Sequence, residues 1–149
     1  MKLLQLEIRN FRNIGRLELI PAAGVNFFRG ENAQGKTNLL EAIYFLVTGR
    51  SFRTRIEKEV LPWDHDAGVV SNIRGFVRTP ESEYEIVVGI SSSEKKVSCN
   101  GRTLSSLGLL WGKMNAVLFA PGDLSVVQGP PGIRRRFLDM EGSQIDPGY

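Results

Sequence analysis

The sequence predicts a mixed α/β fold, and three observations carry that expectation. Apolar and polar residues alternate over two stretches near the N-terminus, the pattern of half-buried strands. The run from Thr37 to Thr48 is apolar around most of a helical circumference. Short strand-like runs return after it, punctuated by Thr79-Pro80-Glu81 and Asn100-Gly101. A chain of 149 residues, 42% hydrophobic and 23% charged, can bury the core of one ordinary domain, which excludes collagen-like and disordered classes. No apolar run approaches the roughly 18 residues of a membrane span, and MKLLQLEIRN breaks into charge too early for a signal peptide. The single cysteine, Cys99, excludes an internal disulfide and a Cys-cluster zinc site. A soluble, cytoplasmic protein with no membrane association is the resulting expectation.

The elements follow in order. Leu3, Leu4, Leu6 and Ile8 interleave with Gln5, Glu7 and Arg9 to predict a first strand. Asn10–Asn13 interrupts it, and Ile14–Ile20 predicts a second strand that ends at Pro21 and pairs antiparallel with the first across that four-residue connection. Val25–Arg29 predicts a short apolar strand running into Gly30. The helix over Thr37–Thr48 carries Leu39, Leu40, Ala42, Ile43, Phe45, Leu46 and Val47, fits inside a sheet sandwich, and has Gly49 placed as its C-terminal cap. Residues 50–68 read as irregular. Strands are predicted over Val69–Val77, Tyr84–Ile90 and Val97–Cys99, the last entering an Asn-Gly turn. A short helix over Leu104–Trp111, a buried strand over Ala116–Phe119 and a helix over Ile133–Met140, after the break at Gly129–Gly132, complete the reading.

Between the third strand and the helix lies Gly30-Glu31-Asn32-Ala33-Gln34-Gly35-Lys36-Thr37, which satisfies G-x-x-x-x-G-K-[ST], the Walker A pattern. Glycines without Cβ let the backbone turn tightly so that successive amides point inward at phosphate oxygens. Lys36 brings a compact ammonium to the β- and γ-phosphates, and the Thr37 hydroxyl can ligate Mg²⁺. The helix begins at the loop, so its positive end faces the same anion. The pattern implies binding of a nucleoside triphosphate. Phosphoryl transfer also requires an acid at the end of an apolar strand to organise Mg²⁺ and water. Val117–Ala120 comes closest, but Asp123 falls in a turn, so the hydrolytic half looks incomplete and no residue is assigned a catalytic role.

On these residues the chain resembles the N-terminal part of the RecF family, bacterial recombination and gap-repair ATPases related to SMC proteins and ABC ATPases. Leu6–Asn13 (LEIRNFRN) resembles the family's opening strand and turn, Gly30–Thr54 its Walker A loop and helix, and Pro121–Asp139 (PGDLSVVQGPPGIRRRFLD) a stretch of its own. The resemblance implies an ABC-type P-loop ATPase head, with residues 1–149 forming the N-terminal half of lobe I with an antiparallel β-subdomain. Residues from about 130 to 149 would begin the helical second lobe. It implies ATP and Mg²⁺ as cofactors, held by Gly30 to Thr37, with Arg12 and Asn13 approaching the nucleotide from the first turn. It implies an ATP-dependent homodimer that clamps double-stranded DNA near single-strand gaps and helps load RecA with RecO and RecR, released by slow, DNA-stimulated hydrolysis. Gly122 stands where the family usually has an acid and Pro130 where it has a small residue. Position 122 lies near the counterpart of the ABC Q-loop, which senses the γ-phosphate and Mg²⁺, so no sensing residue is assigned there, with Asp123 a candidate. The family's signature motif, Walker B strand and D-loop would lie past residue 149, which makes this segment, taken alone, an expected non-hydrolysing fragment.

The remaining features carry two readings each. Arg50, Arg53 and Arg55 either face the nucleotide and dimer interface or solvate a loop. Arg134–Arg136 could meet DNA phosphates or supply one buried and two solvated cations, and the net charge of +3 is too small to decide. His65 reads as exposed, and Trp63 and Trp111 as core or edge packing. A small-molecule kinase or metabolic P-loop NTPase is the competing class. It is disfavoured because such enzymes begin at the phosphate-loop strand, whereas an antiparallel pair comes first here.

Overall fold

The computed structural model describes residues 1–64, 66, 68–105, 115–119 and 128–145. Strand β1 (Lys2–Phe11) pairs antiparallel with β2 (Ile14–Leu19), as the alternation predicts. The connection is tighter than the sequence suggests. Pairing runs on to Phe11 opposite Ile14, which leaves Arg12 and Asn13 as the whole turn. Arg12 closes it in the left-handed region at φ 54°, and Asn10 reaches φ 53° inside the strand. That irregularity resets the alternation, so Phe11, three residues after Ile8, is buried with it.

Strands β3 (Ser71–Arg78), β4 (Glu83–Ile90), β5 (Lys95–Cys99) and β6 (Arg102–Thr103) continue as a meander. The sheet order is β2-β1-β3-β4-β5-β6, and each neighbouring pair is antiparallel. Asn100 and Gly101 both take positive φ and place Cys99 opposite Arg102, the two-residue hairpin that the Asn-Gly pair predicts.

One sheet face is apolar. Leu6, Ile8, Ile73, Val77, Ile86, Val88 and Val97 form the core with helix α1 (Lys36–Thr48), which contributes Leu39, Ala42, Phe45 and Leu46. The other face carries charge, with Arg74 donating from Nε to Glu85 at 2.6 Å, as an antiparallel sheet open to water on one side should. The helix therefore lies on a single described sheet and not within a sandwich, and Leu40 is exposed. Gly49 caps the helix in the left-handed region, its N–H bonded to the Phe45 carbonyl at 2.7 Å. Lys95 reaches over the Phe45 ring to the Gly49 carbonyl and to Glu57, laying a cation on the negative end of the helix.

The helix sits close because β3 has no side chain where the two meet. A Cβ on Gly75 would lie 2.2 Å from Leu46 Cδ2 and 3.4 Å from Leu3 Cδ1. Leu46 is fully buried, so yielding to a new methyl group means repacking within the core. Gly75→Ala should thus lower unfolding free energy by about 1–3 kcal/mol through overpacking, measured by urea denaturation. Gly15→Ala, which meets nothing within 4 Å, should stay near the parent stability.

Two predicted strands do not form. Val25–Arg29 has no ladder partner among the described residues, and Val25 and Phe27 are 75% and 91% exposed. Ala116–Phe119 is likewise outside any strand, with Val117 and Phe119 exposed instead of buried. Apolar composition cannot make a strand without a neighbour to take its amides and carbonyls. Helix α2 (Pro131–Ile145) begins two residues earlier than predicted, with proline in its first turn where a missing N–H costs nothing. Most of the Leu104–Trp111 helix prediction lies outside the described residues, as do His65, Trp111 and Asp123. Among the described residues no helix is long and apolar enough to cross a membrane.

Candidate nucleotide-binding site

The Walker A loop joins the end of the exposed Val25–Arg29 segment to α1. Gly35 stands at φ 90° immediately before the helix, in the region that a side chain strains. A Cβ there would also lie 2.9 Å from Asn13 Oδ1. The first intrahelical bond runs from the Leu39 amide to the Gly35 carbonyl at 2.8 Å, so the amides of Lys36, Thr37 and Asn38 have no acceptor within the helix. No side chain caps them and no acid lies in the first turn. The positive end of the helix is thus open toward the cleft.

Lys36 bends back over the loop and donates from Nζ to the carbonyls of Gly30 at 2.7 Å and Glu31 at 2.5 Å. These are neutral acceptors on an exposed loop. A phosphate oxygen would offer a stronger, charge-assisted acceptor to the same ammonium. Thr37 is exposed beside it, and its hydroxyl has no protein partner among the described residues. An open hard oxygen next to a phosphate cradle fits Mg²⁺, which keeps waters and takes one or two protein oxygens plus phosphates. No group of three or more His, Cys, Asp or Glu side chains competes for a metal among the described residues.

The cleft, about 420 Å³, is lined on the loop side by Asn32, Ala33, Gly35, Lys36 and Thr37, and across from them by Arg12, Asn13 and Trp63. Asn13 fastens the first turn to the loop. Its Nδ2 donates to the Ala33 carbonyl at 3.2 Å, and its Oδ1 accepts from Asn38 Nδ2 at 2.8 Å. Ala33 holds φ 66° under that contact. Of the predicted site residues, Gly30 and Glu31 serve as acceptors for Lys36, and Gln34 is exposed outside the cleft lining.

Behind the cleft stands a residue that sequence reading missed. Glu41 is fully buried on α1. It accepts from Arg12 through Nε at 3.1 Å and Nη2 at 2.8 Å, from Ser51 Oγ at 2.6 Å, and from Arg53 Nη1 at 3.3 Å. Arg53 also donates to Asn38 Oδ1 at 2.7 Å, and Arg12 Nη1 donates to the Glu59 carbonyl at 2.6 Å. One carboxylate therefore ties the first turn, the helix and the loop after it around the site. The signal was available: an acid between Leu40 and Ala42 in an apolar helix, four residues before Phe45 on the same face.

The arginine cluster divides. Arg53 joins the phosphate cleft, while Arg50 and Arg55 line a separate hollow of about 290 Å³ with Ser51, Thr54 and Glu57. Arg134 donates to the Gly129 carbonyl at 3.0 Å at the start of α2. Trp63, expected in packing, is 92% exposed.

An antiparallel sheet backed by a helix that opens on a phosphate cradle defines an ATPase-type nucleotide domain. Residues 5–106 match the family model described as an AAA domain, and the chain belongs to that family. Over its whole length it is 44% identical to the DNA replication and repair protein RecF of Bacillus mycoides strain KBAB4, of which it spans 39%. A solved structure of the recombination mediator protein RecF with ATP, in the RecFOR pathway, matches 99% of this chain and 39% of its own at 38% identity and a TM-score of 0.92. An SMC ATPase structure matches 97% of this chain at 18% identity and a TM-score of 0.69, a likeness of fold alone. The resemblance to RecF drawn from the motifs is borne out, and the fold is that of the N-terminal part of an ABC-type head.

Proposed function

We propose that this chain is the nucleotide-binding portion of a RecF-type DNA replication and repair ATPase and that it binds ATP with Mg²⁺ between Gly30 and Thr37. The observation that carries this reading is the open, uncapped start of α1 with Lys36 resting on loop carbonyls beside it. In this reading Lys36 exchanges those carbonyls for the β- and γ-phosphates, the amides after Gly35 meet phosphate oxygens, and Thr37 would hold Mg²⁺. Bound Mg²⁺ supplies neutralisation of phosphate charge. Arg12 and Asn13 face the nucleotide from the first turn. The antiparallel pair before the phosphate loop supports this reading over a small-molecule kinase or metabolic NTPase.

The relatives are about two and a half times as long, since the chain spans 39% of them. In the whole protein, the proposed ATP-bound head dimerises with a second copy that completes the site, clamps double-stranded DNA beside single-strand gaps, and acts with RecO and RecR in loading RecA in the cytoplasm. Slow hydrolysis opens the clamp, and α2 begins the second, helical lobe. The test is retention of a gapped duplex by a RecF-length polypeptide carrying this chain, followed by fluorescence anisotropy with and without ATP. Binding should need ATP and should weaken steeply as salt rises. Retention that ignores ATP would reject the clamp.

A further inference from the structure

We propose that Trp63 is the platform on which the purine base of the bound nucleotide stacks. The inference rests on the nucleotide reading above and adds to it the part of the ligand that no phosphate loop can recognise. Trp63 is the most exposed large hydrophobic side chain among the described residues, at 92%, and it lines the phosphate cleft. An indole left in water gains nothing for the fold, since its apolar area is not removed from solvent.

Its surroundings give the exposure a direction. A second hollow of about 470 Å³ shares Arg12, Asn13 and Trp63 with the phosphate cleft and continues past them to Asn10, Asp64 and Asp66. The two hollows meet at these three residues, with one end at the phosphate loop and the other at the acidic residues. Lys36 and Arg53 make the first end cationic, while Asp64 and Asp66 make the second anionic. Charge favours a triphosphate at the first end. The nucleoside then extends across Trp63, where carboxylates repel phosphate but accept hydrogen bonds from ribose hydroxyls or an exocyclic amine.

The platform is also held in place from behind. Val60 and Leu61 are buried, and the Val60 carbonyl accepts from the Arg12 amide at 2.6 Å. The Glu59 carbonyl accepts from the Arg12 guanidinium. The backbone just before Trp63 is thereby pinned to the same turn that carries Asn13 to the loop. A positioned aromatic plane with a free face stacks any base, and the larger purine surface stacks best.

The experiment compares ATP with inorganic tripolyphosphate by calorimetry on the full chain, as wild type, Trp63→Ala and Trp63→Phe, with Mg²⁺ present. Trp63→Ala should weaken ATP on the order of tenfold, the scale of one base–aromatic stack, and leave tripolyphosphate unchanged. Trp63→Phe should recover most of the loss. Unchanged ATP affinity in Trp63→Ala would overturn the platform while leaving the phosphate site standing. Equal losses for ATP and tripolyphosphate would overturn it as well, because they would mark a disturbed loop and not a lost stack. If the wild type binds neither ligand, the nucleotide reading itself fails.

Discussion

Lys36→Ala should weaken nucleotide binding severely while leaving the fold intact. Among the described residues the ammonium donates to the Gly30 and Glu31 carbonyls of an exposed loop, so the folded state loses two neutral contacts that water replaces. The proposed complex loses much more. A charge-assisted bond to phosphate is worth about 1.5–3 kcal/mol, and the ammonium serves two phosphates. ATP affinity should fall on the order of a hundredfold or more, read by calorimetry, with the thermal unfolding midpoint close to that of the parent. Equal affinity in parent and variant would remove Lys36 from the site.

Glu41→Ala should have the opposite profile, with stability collapsing first. The carboxylate is fully buried and accepts from Arg12, Ser51 and Arg53. Removing it strands the Arg12 guanidinium, whose side chain is only 14% exposed, with the Glu59 carbonyl as its remaining described side-chain acceptor. Breaking a buried pair from one side costs about 3–5 kcal/mol, a large share of the roughly 5–15 kcal/mol that holds a domain together. Arg53 is 45% exposed and can turn to water, so it adds little to the loss. Urea denaturation measures the effect. Glu41→Gln keeps an acceptor for Ser51 and Arg12 and should lose distinctly less. A loss under about 1 kcal/mol for Glu41→Ala would show that the hub is no support for the fold.

The contrast between these two residues shows what a sequence can disclose. Lys36 was legible because the phosphate loop is local: glycines, lysine and threonine act within eight consecutive positions. The β1–β2 pair, the Asn100-Gly101 hairpin and α1 were legible for the same reason, being set by alternation, turn chemistry and helical period. The apolar neighbours of Glu41 signalled its burial, but its role was hidden because its partners at Arg12, Ser51 and Arg53 are brought together only by the fold. Val25–Arg29 and Ala116–Phe119 were misread from the reverse error. Their composition suits a strand, but pairing is a property of two segments, and neither finds a second one among the described residues. Trp63 was misassigned to packing because aromatic residues are buried on average, and an average says nothing about a residue placed over a cleft.

The position of β1 between β2 and β3 carries a kinetic consequence. The β1–β2 hairpin and the β3-to-β6 meander each assemble from neighbours in sequence, whereas the β1–β3 seam joins Arg9 to Asn72. Everything between them, including the phosphate loop and α1, is the segment whose closure entropy must be met before that seam repays it. The bond from Asn13 to the Ala33 carbonyl spans 20 residues and needs only the β1–β2 turn, so the nucleotide cradle can take shape before that seam closes. A ligand held only by the folded chain would add to its stability by mass action, whatever the order in which the sheet assembles.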